Sequence, residues 1–124
     1  TRITFKIREG VKWQDGSPFG ASDVKATIEF LKKSAIPRYF DSVKDVERVE
    51  AADNTLTVTF SGKSYWYLHQ IGGLPMLSAG VLSSLKDWRR LPEEDIIGTG
   101  PFSFSKYKPG EYVKLDKNEL YWRK

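Results

Sequence analysis

The residues best suited to acid–base chemistry in this chain are three consecutive carboxylates, Glu93, Glu94 and Asp95, which follow Pro92. Paired carboxylates can act as general acid and general base, but only when their surroundings push their pKa values apart. A short run of charge in a loop is usually solvated surface. A hydrolase that uses these carboxylates is therefore a minor hypothesis, and it would be rejected if alanine at all three positions left an activity intact.

Nucleophilic, metal and phosphate chemistry have little support in the sequence. The only histidine, His69, stands beside Leu68 and lacks the neighbouring partners that general-base or zinc chemistry requires. The chain has no cysteine, which excludes disulfides, thiolate metal sites and a cysteine nucleophile. Gly98-Thr99-Gly100 resembles the start of a phosphate-binding loop, but Pro101 and a predicted strand follow where such loops need a helix. We predict no catalytic residue, no metal and no cofactor.

Aromatic side chains, which make up 14% of the chain, are the residues most suited to holding a ligand. Tyr65, Trp66 and Tyr67 are consecutive, and consecutive side chains of a helix fan out, so the three cannot all be buried. Tyr39 and Phe40 follow the predicted end of a helix. Exposed aromatic faces can stack on sugars, bases or peptide side chains, although packing against the core is the commoner role.

The elements that must position these residues follow from hydrophobic periodicity. Alternating apolar residues predict strands around residues 3–7, 43–51, 55–60, 102–107 and 113–115. A helix is predicted over residues 21–33, and serines suited to capping predict two shorter helices over 64–71 and 78–88. The apolar face of the first helix is formed by residues at three- and four-residue spacing, namely Val24, Ile28, Leu31 and Ala35.

Turn signals join these elements into an α+β fold. Asp53-Asn54 and Lys108-Pro109-Gly110-Glu111 are suited to the turns of two hairpins. Strand pairs mixed with separate helices predict a mixed or antiparallel sheet with hairpins, packed against two or three helices. Between the first strand and the first helix, residues 10–20 hold three glycines, a proline and two bends, which raises the question whether they form a site or a corner.

The charge pattern bears on a nucleic-acid interpretation. The net charge is +4, but lysine and arginine form isolated pairs such as Lys32-Lys33 and Arg89-Arg90, with no concentrated stripe. A single-stranded nucleic-acid binder is therefore the alternative hypothesis, and it needs Tyr65, Trp66 and Tyr67 on an open groove lined by lysines. Affinity that falls steeply with salt would support it.

The ends of the chain suggest a part of something longer. The 124 residues fit one domain. The chain opens with Thr1 to Phe5, which is already strand-like and has no initiator methionine, so we expect a piece of a longer polypeptide. No segment approaches the roughly 20 apolar residues that a membrane-spanning helix needs.

Four stretches of the chain, taken in order, carry a resemblance to a known family. The family is that of the family 5 solute-binding proteins of ABC importers, which includes oligopeptide-, dipeptide-, nickel- and some oligosaccharide-binding proteins. The matching stretches are ITFKIREGVKWQDGSPFGASDVKATIEFL, VEAADNTLTVTF, IIGTGPFSFSKYKPGEYVKLDKN and NELYW. The first resembles the family signature of a strand, a lysine–aromatic pair, a D-G turn, a proline–aromatic step and a helix.

The resemblance implies that the turn-rich residues 10–20 form a corner and no site. Trp13 and Phe19 would anchor this corner in the core, and Gly16 would relieve its turn. Two positions depart from the family pattern. Gly20 stands where the family usually has a threonine or aspartate cap, which predicts a weaker helix start, and Glu119 stands where it usually has proline.

The resemblance also implies the chain's place in a larger molecule. Residues 1–124 would be a single domain fragment, mainly the smaller extra domain called domain II, with the strands that lead back into the first lobe. Whole members resemble two lobes that close over a ligand, in the manner of type II periplasmic binding proteins. The implied function is non-enzymatic capture of a peptide or oligosaccharide-type solute for an ABC permease in the membrane. The implied location is periplasmic or extracellular, free or lipid-anchored, with a monomeric protein that binds no nucleic acid.

The implied ligand-facing residues are aromatic and apolar. By position in the family, Tyr39 or Phe40 would face the ligand, with Trp66 and Met76 behind them. Met76 stands where some metal-chelate binders have a cationic residue, which argues against that subtype. Peptide, oligosaccharide and metal-chelate ligands all remain compatible with the sequence.

Overall fold

The computed structural model describes residues 1–123 and arranges them as two separate antiparallel sheets, the first of which carries helices. A short 3-10 turn, Glu93–Asp95, precedes the second sheet. The elements in chain order are β1 (Arg2–Lys6), α1 (Ala21–Ser34), α2 (Pro37–Val43), β2 (Val46–Ala52), β3 (Thr55–Phe60), α3 (Tyr67–Gly72), α4 (Ala79–Ser84), β4 (Phe102–Lys108) and β5 (Tyr112–Lys117). The predicted α+β class with antiparallel hairpins is confirmed.

The first sheet has the strand order β1-β3-β2, with β3 at its centre. In β3 the apolar residues alternate with threonines, so Leu56, Val58 and Phe60 all point into the core and are buried. Residues that pair across strands lie on the same face of the sheet. Phe5 of β1 lies opposite Leu56, and Val49 of β2 lies opposite Val58, so both are on the apolar face of β3. One face of the sheet is therefore apolar along all three strands.

Helix α1 covers that face. Val24, Ile28 and Leu31 are at most 3% exposed and belong to the same core cluster as β3. Burial of side chains of this size contributes about 1.5–3 kcal/mol each relative to exposure. Ala35 was expected on the same face, and this prediction is wrong: Ala35 is exposed and ends the helix in the left-handed region, with φ 46°. The chain turns here because Pro37 starts α2 at once.

The start of α1 replaces the missing cap with another contact. Gly20 has no side chain to accept a hydrogen bond, but Oδ2 of Asp23 accepts one from the Gly20 backbone N–H at 2.9 Å. This is the second half of a capping box, in which the residue at the third helical position reaches back to the N-cap. Asp23 therefore supports a helix start that the sequence predicted to be weaker.

The turn-rich residues before α1 form a corner, and aromatic packing anchors it. Trp13 is 1% exposed and meets the ring of Phe19 edge-on, with centroids 5.5 Å apart. Gly16 has φ 86°, where glycine carries no penalty, and Ser17 O accepts from Trp13 N–H at 2.8 Å. Among residues 1–123, the Trp13 indole N–H is the buried side-chain group left without a hydrogen-bond partner. The role of Trp13 is therefore packing.

Several predictions of helices and strands differ from the structure, and one of them concerns α3, which begins at Tyr67 although the helix was predicted from residue 64. Helix α2 was not predicted, and the strand expected from residue 43 begins instead at Val46. Helix α4 ends at Ser84, four residues before the predicted Trp88. The hydrophobic periodicity of the sequence is weak at α2 and α4. Such short helices are hard to predict, because most helical stability in proteins comes from tertiary packing.

The second sheet is the hairpin of β4 and β5. Its turn is the predicted one: Gly110 has φ 75°, and Glu111 N–H donates to Lys108 O at 3.0 Å. The register gathers most apolar residues of the hairpin on one face, where Lys117 lies opposite Phe102, and it places Tyr112 among polar residues on the other face. Five residues form the apolar face, namely Phe102, Phe104, Tyr107, Val113 and Leu115. Within residues 1–123, no residue of β4 or β5 belongs to the core cluster.

Candidate functional site

The predicted ligand-facing residues occupy two different environments. Tyr39 and Met76 are half-buried, and both pack against the core cluster. Phe40, the neighbour of Tyr39 on α2, is also half-buried. Trp66 is 62% exposed, and its ring meets those of Tyr65 and His69 at centroid distances of 5.6 and 5.9 Å. The structure thus places Tyr39 and Met76 at the rim of one core, and Trp66 in an exposed aromatic group.

Helix packing explains why the rim of the core combines residues from distant parts of the chain. Helix α2, which carries Tyr39, packs against both α1 and α3. Met76 follows α3 by only a few residues, in the segment 73–78 that leads to α4. The guanidinium of Arg38 lies 5.5 Å from the ring centroid of Tyr39, a distance at which a cation is attracted to an aromatic face. The edge of the core therefore offers an aromatic face with a positive charge at Tyr39, and a thioether at Met76.

Two polar residues of α1 hold the Met76 segment in place. The Thr27 hydroxyl is fully buried and accepts from Leu77 N–H at 2.9 Å. The same hydroxyl lies within hydrogen-bond distance of the carbonyls of Asp23, at 2.8 Å, and Leu77, at 3.1 Å. Oδ1 of Asp23 accepts from Ala79 N–H at 2.8 Å. The end of the segment, at Leu77, and the first residue of α4, Ala79, are therefore attached to one face of α1.

Sequence reasoning did not predict the contacts of Thr27 and Asp23 with this segment and with α4. A signal was present, because the two residues are four apart and interrupt the apolar face formed by Val24, Ile28 and Leu31. Polar groups on a core-facing stripe must find partners, since burying one without a hydrogen bond is costly. The partners themselves, some 50 residues away, could not be read from that pattern.

The corner before α1 contacts the loop before β4. Gln14 N–H donates to Gly98 O at 3.1 Å, and Gly98 N–H donates to Gln14 Oε1 at 2.9 Å. Gln14 Nε2 also donates to Phe102 O at 2.8 Å. From the other side, Nδ2 of the buried Asn118 donates to Gly100 O at 2.7 Å. The glycine-rich loop is thus a docking point between segments, a role that sequence reasoning did not predict.

The three consecutive aromatic residues do not form an open stacking surface. Tyr67 is 4% exposed and stacks on Phe60, with ring centroids 4.1 Å apart and planes within 6°. Its hydroxyl donates to Asp45 Oδ2 at 3.2 Å. Burial, followed by the nearby Asp45 charge and this hydrogen bond, raises the pKa of Tyr67 above its ordinary value. The groove that a nucleic-acid binder requires, with Tyr65, Trp66 and Tyr67 all open, is therefore not formed.

The carboxylates considered for acid–base chemistry lie on the surface. Glu93 and Glu94 are exposed and Asp95 is half-buried in the 3-10 turn. Across residues 1–123, no group of three or more His, Cys, Asp or Glu side chains is arranged to hold a metal ion. In the same part of the chain, no helix combines the length and apolar character needed to cross a membrane.

Comparison with known proteins identifies the family. The model of the middle part of the bacterial extracellular solute-binding proteins, family 5, matches residues 1–124. The probable peptide-binding protein YejA of Agrobacterium fabrum is 27% identical over 99% of this chain and 21% of its own length. The glutathione-binding protein GsiB of Escherichia coli O1:K1 is 28% identical over 97% of this chain and 24% of its own.

A solved structure agrees with the sequence matches. NikZ from Campylobacter jejuni, in complex with Ni(L-His), superposes with a TM-score of 0.81 at 28% identity, over 98% of this chain and 25% of NikZ. The chain therefore spans about a quarter of the length of these relatives. Since the family model covers every residue, the chain belongs to the bacterial extracellular solute-binding proteins, family 5.

Proposed function

We propose that this chain is one part of an extracytoplasmic solute-binding protein that captures a peptide or oligosaccharide-type solute and delivers it to an ABC importer. The observation that carries the proposal is the family match over residues 1–124, together with relatives about four times longer than the chain. Relatives named for binding a peptide and for binding glutathione favour a peptide-like ligand. The chain would correspond mainly to domain II, with β4 and β5 leading back into the first lobe.

The mechanism we propose is capture without a chemical step. In a two-lobed binding protein the ligand shifts the equilibrium toward a closed form, because it contacts both lobes only when they are closed. The closed form would then meet an ABC permease in the membrane. This assigns the chain no catalytic residue, and it places the protein outside the cytoplasmic membrane, as a monomer, either free or lipid-anchored.

Tyr39 is our first ligand-contacting residue, with Phe40 beside it in the chain and with Met76, which also packs against the core cluster. An aromatic face can stack on an apolar peptide side chain or a sugar ring, and a thioether adapts to irregular shapes. Arg38, whose charge lies over Tyr39, would suit the carboxylate of a peptide. Trp66 would contribute a more peripheral contact, because its ring lies in the separate exposed group with Tyr65 and His69.

A thermal-shift experiment on the whole gene product that contains this chain tests the function. Trialanine, glutathione, maltotriose and Ni(L-His) serve as separate probes, since a ligand that prefers the native state raises its melting temperature. We expect a rise with at least one peptide probe, and a smaller rise in Tyr39→Ala. Tyr112→Ala, at a tyrosine of the hairpin, is the matched control and should match the parent. If no peptide of a broad library raised the melting temperature, peptide capture would be contradicted. If a ligand raised the melting temperature of Tyr39→Ala as much as that of the parent, Tyr39 would not belong to the site.

A further inference from the structure

The hairpin of β4 and β5 has little packing to hold it against the rest of the chain. None of its residues enters the core cluster among residues 1–123, and its two strands pair only with each other. Several of its apolar side chains are open, among them Phe102 at 61% and Val113 at 58% exposed. Among residues 1–123, a small number of specific contacts link the hairpin to the rest of the chain.

The polar and cation–π contacts come from one short segment, residues 8–14, which follows β1 and includes the first part of the corner. At the start of the first strand, the Gln14 amide group donates to Phe102 O and accepts from Gly98 N–H, at 2.8 and 2.9 Å. The end of the second strand lies beside this point, since Phe102 pairs with Lys117, and beyond it the guanidinium of Arg8 lies 4.5 Å from the ring centroid of Trp122. The segment thus contacts the hairpin both before its first strand and after its second.

The hydrogen bonds of Gln14 suit this residue to holding the hairpin in one orientation. Both polar atoms of its side-chain amide are used, and its backbone N–H makes a third bond to Gly98 O at 3.1 Å. Three bonds from one residue to the two ends of the segment 98–102 restrict rotation as well as distance. Arg8 adds an electrostatic contact on an aromatic face, where guanidinium groups stack well.

We propose that Gln14 and Arg8 are positioning residues that form a two-point clamp on the hairpin. The clamp fixes the hairpin relative to the α/β layer, by which we mean the first sheet and the helices α1 to α4, the part that carries Tyr39 and Met76. In a two-lobed binding protein the clamp would set how the candidate ligand residues face the first lobe, and this consequence rests on the proposed function. The clamp itself does not rest on it, so it can be tested without a ligand.

Double electron–electron resonance measures distances between pairs of spin labels and so tests the clamp directly. Because the chain has no cysteine, each label can be attached to an introduced cysteine. One label pair joins the layer to the hairpin, through Lys33→Cys and Lys106→Cys, both at exposed positions. A second pair, Lys33→Cys with the exposed Glu47→Cys, lies wholly within the layer. The background variants are Gln14→Leu, Arg8→Ala and their combination, with the half-buried Gln70→Leu on α3 as the matched glutamine control.

In the parent and in Gln70→Leu we expect a distribution of layer-to-hairpin distances with one narrow peak, and in the double variant we expect that peak to be lost. The distribution of distances within the layer should stay narrow in all variants. A general loss of stability would broaden it as well. A layer-to-hairpin distance that stays equally narrow in the double variant would overturn the clamp. Broadening of both label pairs would also overturn it, since the two residues would then support the whole fold. Neither result bears on solute capture, which the ligand experiment tests separately.

Discussion

Thr27 and Leu77, which lie 50 residues apart in the chain, are joined through one buried hydroxyl that meets both the N–H and the C=O of Leu77. The hydroxyl accepts from the Leu77 N–H, and its one proton is shared between the carbonyls of Asp23 and Leu77, so the N–H of a segment without regular secondary structure gains a partner. Such groups must be paired when they leave water. This contact attaches the Met76 segment to α1.

Replacing Thr27 by valine should destabilise the fold. Valine keeps the shape but leaves Leu77 N–H without its partner, and an unsatisfied buried donor costs about 1–3 kcal/mol. Urea unfolding followed by circular dichroism measures the difference. Thr27→Ser, which keeps the hydroxyl, should recover part of it. Equal unfolding midpoints for Thr27→Val and the parent would show that the hydroxyl is not needed.

Replacing Asp23 by alanine should weaken the start of α1. The carboxylate accepts from Gly20 N–H and Ala79 N–H, so alanine removes two hydrogen bonds at once. Loss of a capping carboxylate alone costs about 0.5–2 kcal/mol. The matched control is Asp41→Ala, where an exposed pair with Lys44 contributes about 0–1 kcal/mol. If the two variants unfolded at the same urea concentration, the double role of Asp23 would be wrong.

Tyr67 should make stability fall at alkaline pH. Because burial raises its pKa in the folded state, the folded protein holds the phenol proton more tightly than the unfolded chain. The stabilising contribution of the Tyr67 phenol to the free energy of unfolding is fully present below its unfolded pKa of about 10. It is lost as pH rises through the higher pKa of the folded state.

Comparison with Tyr67→Phe isolates this contribution. Phenylalanine keeps the stacking on Phe60 but cannot ionise or donate to Asp45. The difference in unfolding free energy between parent and variant should shrink as pH is raised from about 8 to about 11. A difference that stays constant over this range would contradict the raised pKa.

Asp15 should titrate below its ordinary range in the corner. The Ser17 hydroxyl, and then the Ser17 backbone N–H, donate to its carboxylate and lower its pKa. Its stabilising contribution is therefore present above the unfolded value of about 3.9 and is lost as pH falls through the lower folded value. In Ser17→Ala, an NMR titration should find the Asp15 pKa moved up toward the ordinary value. An unchanged titration would show that the hydroxyl has no such effect.

The candidate site was only partly accessible to sequence reasoning. Tyr39 and Met76 were named from their positions in the family, and the structure places both at the rim of one core. Trp66 was named with them, yet its ring lies in a separate exposed group. Gln14 was missed altogether, because its partner Gly98 is 84 residues away and the corner gives no local sign of it.

What the sequence determined by itself is local. The alternation in β1 and β3, the apolar spacing along α1 and the turn at Gly110 each depend on residues within a few positions, where backbone sterics and side-chain periodicity act directly.

The tertiary structure decided what depends on distant partners. It determined that Tyr67 is buried and Tyr65 open, that Pro37 begins a helix, and that Thr27 meets Leu77. The physical reason is that burial and buried hydrogen bonds gain their free energy only when segments far apart in the chain come together.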